Sequence, residues 1–309
     1  MDVAIEVERV TKRYGATLAL DALYFAVRPG LVTGFVGPNG AGKSTTIRII
    51  LGLAAPDDGR ALVGGRAYAT LDSPLRHVGA LLDATATHPG RRAADHLVWI
   101  AHSNGIARRR VDDVLELVGL TSVARKRTGG FSLGMAQRLG LAAAMLGDPP
   151  VLLLDEPVNG LDPDGIRWLR GFLRALAAEG RAVLVSSHLM SELEDTADHL
   201  IVIGRSRLLA DTSMRDLLTA VPATGVSLRT PDRAAVMHLL ANAGATVTSS
   251  RGDQLVVTGL VPGRIAELVA GHGYHLDELV SHRPSLEDAY LQLTRHAVDY
   301  PTSRIEAPG

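Results

Sequence analysis

Nine consecutive residues carry the densest chemistry in this sequence: Gly37, Pro38, Asn39, Gly40, Ala41, Gly42, Lys43, Ser44 and Thr45. They fit Gly-x-x-x-x-Gly-Lys-[Ser/Thr] at every fixed position. Glycines at that spacing let the backbone curl with its N–H groups pointing inward at an anion, and Lys43 adds a point charge for β- and γ-phosphates. Ser44 offers its hydroxyl to an accompanying Mg²⁺. A glycine-rich turn that binds nothing would need neither the lysine nor the serine in register.

Three apolar strand-like runs and one helical stretch must position this chemistry. Residues 31–36 read as a buried strand leading into the loop, and residues 46–51 as the helix leaving it. Residues 151–154 are apolar at every position and end in Asp155 and Glu156. A strand buried on both faces needs such a run, and its carboxylates emerge at the C-terminal sheet edge where ligands of open α/β sheets bind. Asp155 suits a water-mediated hold on Mg²⁺, and Glu156 suits taking a proton from an attacking water. A strand followed by a solvated turn explains an Asp-Glu pair on its own, but less well beside a phosphate loop. A third run, residues 182–185, delivers Ser186, Ser187 and His188 to the same edge. That strand is expected to be parallel to the other two, so that His188 faces the γ-phosphate. Tyr14, upstream of the loop, can stack on a purine ring or serve as an ordinary turn aromatic.

Bulk properties narrow the classes. The chain has 309 residues, a net charge of -1 and no cysteine. A dominant field for nucleic acid is absent, so no nucleic-acid partner is expected. Disulfides and thiolate metal sites are excluded, which suits a reducing cytosol. The longest apolar runs fall far short of the roughly 18 residues that a spanning helix needs, and no signal-peptide pattern opens the chain. The basic runs 108–110 and 125–127 read as solvated faces.

Three further elements distinguish among phosphate-loop proteins. Phe131-Ser132-Leu133-Gly134-Met135-Ala136-Gln137-Arg138 opens a helix shortly before the acidic strand, Asn159-Gly160-Leu161-Asp162 follows that strand, and His188 comes next. In order and spacing, residues 3–218 resemble the ATPase domain of ABC transporters, whose signature motif is Leu-Ser-Gly-Gly-Gln. The resemblance implies an α/β fold: a P-loop NTPase core with an N-terminal antiparallel β-subdomain and an inserted helical subdomain at about 93–147. It also implies that Tyr14 stacks on adenine, residues 39–45 wrap the phosphates of ATP, Ser44 and Asp155 serve Mg²⁺, Glu156 is the general base, and His188 bridges the γ-phosphate and an opposing subunit. Ser132 and Gly134 would contact ATP held by a second copy, with Asp162 at that interface, so the competent state is a head-to-tail dimer around two ATP molecules. A separate transmembrane permease would dock near Asp83 and the helical segment, placing the chain on the cytoplasmic face of a membrane. There are departures. Leu133 and Met135 replace a glycine and a glutamine of the signature, and Asp83 stands where the family usually has glutamine; its carboxylate can still ligate Mg²⁺.

After residue 218 the composition shifts. Strands at 226–229, 246–248, 255–257 and 274–279, with helices at 233–240 and 262–270, give the order β-α-β-β-α-β of a small ferredoxin-like α+β domain over 219–297, with a hairpin turn at 251–253. Ser285 with Asp288 forms a capping box for a last helix through Leu293, and residues 298–309 form a loose tail. This part resembles the C-terminal extension of bacterial drug- and antibiotic-export ATPases, so the chain is expected to be the ATPase subunit of an exporter. In this reading the extension is a packing and dimerisation element rather than a small-molecule sensor. Two other classes stay open: a soluble, non-transport ABC ATPase, and a regulatory nucleotide-binding module without turnover.

Overall fold

The computed structural model describes residues 3–220, 225–249, 254–282 and 285–294. In chain order its elements are β1 (Ile5–Tyr14), β2 (Thr17–Val27), β3 (Val32–Val36), α1 (Lys43–Ile50), β4 (Asp58–Val63), β5 (Val78–Leu81), α2 (Ala93–Ser103), α3 (Arg109–Leu117), α4 (Leu133–Ala144), β6 (Val151–Asp155), α5 (Pro163–Ala178), β7 (Ala182–Ser187), α6 (Met190–Glu194), β8 (His199–Gly204), β9 (Arg207–Ser213) and α7 (Met214–Ala220). They continue with β10 (Gly225–Arg229), α8 (Arg233–Asn242), β11 (Thr246–Ser249), β12 (Gln254–Thr258), α9 (Pro262–Gly271), β13 (Glu278–His282) and α10 (Leu286–Thr294). The chain divides into two compact units, one built on Met1–Arg215 and the other on Asp216–Gln292.

The first unit holds two sheets. An antiparallel three-stranded sheet runs in the order β2-β1-β4, and a six-stranded sheet in the order β5-β6-β7-β3-β8-β9. The larger sheet is parallel except for β9, which pairs antiparallel with β8. Every residue of β3 and β7 is buried, as are the first four of β6. The unbroken apolar runs in the sequence have this cause, because strands covered on both faces leave no position for polar alternation. Phe25, Phe35, Ile47, Leu153 and Ile201 belong to one core cluster that joins both sheets to α1.

The helix after the phosphate loop begins at Lys43, three residues earlier than the apolar pattern suggested. The glycines before it leave no apolar signal, so periodicity sees only the helix's later turns. Arg110 also departs from the solvated-face reading: its guanidinium donates to Met145 O at 3.2 Å and to Asp148 Oδ1 at 3.0 Å, binding α3 to the end of α4.

The second unit is a four-stranded antiparallel sheet in the order β11-β12-β10-β13. Its core gathers Val226, Leu228, Leu240, Leu255, Val257 and Ile265. With two helices in the crossings, this is the split β-α-β topology expected from the sequence. The predicted strand at 274–279 is corrected to Glu278–His282. Tyr274 and Leu276 pack against the core from irregular backbone, and the Thr230 hydroxyl pins that segment by donating to His275 O at 2.6 Å. Alternating burial therefore imitated a strand. The hairpin turn at 251–253 lies outside the described residues. The capping box forms reciprocally: Asp288 N–H donates to Ser285 Oγ at 3.1 Å, and Ser285 N–H to Asp288 Oδ2 at 3.0 Å.

Candidate functional site

Strand order creates the site. Because β7 lies between β3 and β6, the segments leaving those three strands meet at one C-terminal edge. The segment after β3 is the phosphate loop. A Cβ at Gly37 would meet Ile203 O at 2.5 Å, and one at Gly42 would meet Leu20 Cδ2 at 2.5 Å. Gly42 also has φ 107°, open only to glycine at low cost. Lys43 heads α1 with 6% of its surface exposed. Its ammonium donates to Gly37 O at 2.7 Å and to Pro38 O at 3.4 Å, and lies 3.7 Å from Glu156 Oε1. Burial pulls its pKa below the usual lysine range, against the opposing pull of the Glu156 and Asp155 carboxylates.

On the other two strands, serine hydroxyls do the orienting. The Ser186 hydroxyl donates to Asp155 Oδ1 at 2.5 Å and accepts from Glu156 N–H at 2.9 Å. Glu156 sits in the left-handed region at φ 51°, which turns its carboxylate away from the strand line. His188 Nδ1 lies 2.6 Å from Glu156 Oε2. Lys43, Glu156 and His188 thus form one connected set of charged and titratable groups. A cavity of about 380 Å³ opens in front of them, lined also by Asn39, Gly40, Ser44 and Thr45. Ala41 is buried behind the loop.

Asp155 and Asp83 line a neighbouring cavity of about 230 Å³, which shares Glu156 and Asn159 with the first. Asp83 Oδ1 accepts from both the Thr85 N–H at 2.8 Å and the Thr85 hydroxyl at 2.7 Å, and these bonds hold its carboxyl below the usual range. Ser44, Asp155 and Asp83 offer hard oxygens of the kind that suits Mg²⁺, with Ser44 lining the first cavity and the two aspartates the second. Among the described residues no three or more His, Asp or Glu side chains are gathered to hold a metal unaided.

The remaining predicted residues lie elsewhere in the same unit. Tyr14 ends β1 with 51% of its surface exposed and the Lys12 ammonium 5.5 Å above its ring; it lines neither cavity. Ser132, Gly134 and Asp162 line a third cavity with Gly160 and Gly165. Ser132 caps α4 by accepting from Met135 N–H at 3.2 Å, and Asp162 caps α5 by accepting from Gly165 N–H at 2.7 Å.

Sequence reasoning gave no role to four contributors, three of which it had named. Ser186 and Ser187 stood in plain view before His188, but their roles depend on strand neighbours. Asn159 borders both of the first two cavities. Glu192, on α6, accepts from the Ser187 hydroxyl at 3.0 Å, and no spacing rule pointed to it.

Comparison with known proteins agrees with this arrangement. Residues 20–159 match the ABC transporter family, and residues 224–287 match a domain of unknown function (DUF8746). The bacitracin transport ATP-binding protein BcrA of Bacillus licheniformis is 40% identical over 68% of this chain and 70% of its own. The daunorubicin resistance ATP-binding protein DrrA2 of Streptomyces coeruleorubidus is 34% identical over 96% of each chain. A solved ATP-binding subunit of an ABC transporter superposes with a TM-score of 0.64 at 28% identity, covering 70% of this chain and 92% of that one. Among the described residues no helix is long and apolar enough to cross a membrane. The chain belongs to the ATP-binding subunits of ABC transporters, a family that binds and hydrolyses ATP in transport and works with transmembrane permease components.

Proposed function

We propose that two copies of this chain close head-to-tail on two molecules of ATP and, on hydrolysis, drive a separate membrane permease that exports drug- or antibiotic-like compounds. One observation carries the reading. Lys43, Glu156 and His188 converge on a single cavity, while Ser132 and Asp162 line a different one, so each nucleotide site becomes complete only when a second chain supplies its capped helix ends.

In this reading the backbone N–H groups of residues 39–45 and Lys43 hold the phosphates, with Tyr14 free to stack on the adenine. Ser44, Asp155 and Asp83 would hold Mg²⁺, which supplies charge neutralisation at the β- and γ-phosphates. Glu156 takes the proton of the attacking water, and His188 steadies its carboxylate at Oε2. Helix α4 of the opposing copy, beginning at Ser132, would add donors to the γ-phosphate and exclude water. Loss of that phosphate removes the bridging charge and lets the pair open. The ATPase part would be residues 1–218, with 219–297 as an accessory packing and dimerisation domain and 298–309 as a loose tail. The permease would dock against the helical segment, where Trp99 of α2 is 58% exposed beneath the Arg91 guanidinium. This arrangement would hold the chain on the cytoplasmic face of the membrane. Drug- or antibiotic-like cargo is supported by the likeness to the bacitracin transport protein BcrA and the daunorubicin resistance protein DrrA2, and export as the direction by the likeness to the Nod factor export ATP-binding protein I of Burkholderia orbicola.

The test is Glu156→Gln in the full chain. ATP and Mg²⁺ should convert it to a stable dimer by light scattering while phosphate release falls to background. Parental turnover in that variant would reject Glu156 as the base, and a variant that stays monomeric with ATP bound would reject the sandwich.

A further inference from the structure

Behind the histidine at the nucleotide cavity stands a second carboxylate, and its bonds run toward the first. Ser187 is 1% exposed, and its hydroxyl has three polar atoms around it. It has two acceptors within reach, Glu192 Oε2 at 3.0 Å and Leu189 O at 3.1 Å, and it accepts from Leu189 N–H at 3.0 Å. These bonds close the turn from the end of β7 to α6, and His188 is the residue inside it. From there the His188 N–H and Nδ1 both face Glu156 Oε2, at 3.4 Å and 2.6 Å. A hydroxyl has only one proton to give. Glu192 competes with Leu189 O for it, and by taking it ties the hydroxyl that accepts from Leu189 N–H to α6.

From this chain of bonds we propose that Glu192 is a positioning residue for ATP hydrolysis: acting through Ser187, it holds the His188 turn against Glu156. It touches neither nucleotide nor the reacting atoms. Its place is costly, since burial pushes the Glu192 carboxyl above the usual range, with the Glu156 charge adding to the rise and the Ser187 bond and His188 opposing it. A side chain serving only the fold would be improved by replacing such a carboxylate with an apolar residue of similar size. Stability and turnover should therefore move apart when Glu192 is changed.

The inference rests on the reading of Glu156 and His188 given above, and its test separates the two. Turnover and thermal unfolding are measured on full-length Glu192→Leu and Glu192→Gln, beside the parent and Glu156→Gln. Glu192→Leu should lower kcat about 10- to 100-fold, the scale of a small misplacement of a catalytic group, with KM for ATP within about twofold of the parent and an unfolding temperature equal to or above it. Glu192→Gln keeps an oxygen for the Ser187 hydroxyl and should restore most of the lost kcat. Parental kcat in Glu192→Leu overturns the inference, as does a kcat loss matched by a lower unfolding temperature, or failure of glutamine to restore activity. A leucine variant that does not fold assigns Glu192 to the core and overturns it too. If Glu156→Gln itself keeps parental turnover, the reading of the site fails instead.

Discussion

Two cavities of the first unit, close in chemistry, differ in how far one chain can finish them. At the phosphate loop each strong charge finds a partner within the chain: Lys43 has Gly37 O and Glu156, Glu156 has His188, and Asp155 has Ser186. At Ser132 and Asp162 the polar side chains satisfy only their own helix N-termini, capping α4 and α5. The first is a charged engine that one chain assembles. The second is a pair of capped helix ends whose cavity Asp162 and Arg138 both line, with the Arg138 guanidinium donating to Val118 O and lying over the Trp168 ring. In the proposed dimer, motif residues do not share one role because they share one family: some would do chemistry where they stand, and others would lend it to another copy.

The sharpest way to break this contrast is to mix broken chains. A Lys43→Ala chain and a Ser132→Arg chain should each be inactive, yet together recover turnover, because one of the two composite sites in their heterodimer is intact. If the mixture stays silent in a phosphate-release assay, the two cavities do not complete each other. Next in size is Glu156→Gln, for which loss of the general base should cost about 10²- to 10⁴-fold in kcat. Smaller is the capping role of Ser132. Ser132→Ala frees the Met135 N–H and should cost about 1 kcal/mol of stability, a fall of about 2–4 °C in unfolding temperature for a unit of this size, without weakening ATP binding to the single chain.

The pH dependence of Glu192 sharpens the comparison further. Its folded carboxyl pKa lies above the unfolded value near 4.5, so the fold favours the protonated form. That contribution is present below the unfolded value and lost as pH rises through the folded one. Thermal unfolding of Glu192→Gln should therefore exceed that of the parent at pH 8, with the gap closing toward pH 4. The smallest effect concerns Gln137. Its amide N–H donates to Asn159 O at 3.2 Å, but its buried Oε1 has no partner. Gln137→Met should change stability by less than about 1.5 kcal/mol in chemical denaturation, since the volume is kept and an unmet acceptor is removed.

Much of the core was legible because its cause is local. Lys43, Asp155 and His188 each follow an apolar run, and a run ends where its strand leaves the interior. The order of the strands was not local: only the fold puts β7 between β3 and β6, and with it Ser186 between the Asp155 carboxylate and the Glu156 N–H. Glu192 stayed hidden for the same reason, since its meaning comes from a serine reached through a turn. In the second unit, helix and strand types followed from periodicity. The start of β13 did not, because irregular backbone can bury every other side chain as a strand does. Arg110 shows the matching failure on the surface, where a basic run hides one member spent on the end of a helix.

The grip of Lys43 on its own loop carries a last consequence. The ammonium is engaged by two carbonyls and a carboxylate, so an anion must outbid three incumbents to gain it. A lone sulfate or inorganic phosphate has little with which to do so, whereas a triphosphate brings several oxygens and the loop's own N–H groups to the contest. The lysine's prior engagements therefore favour a polyanion that reaches the ammonium and the loop together.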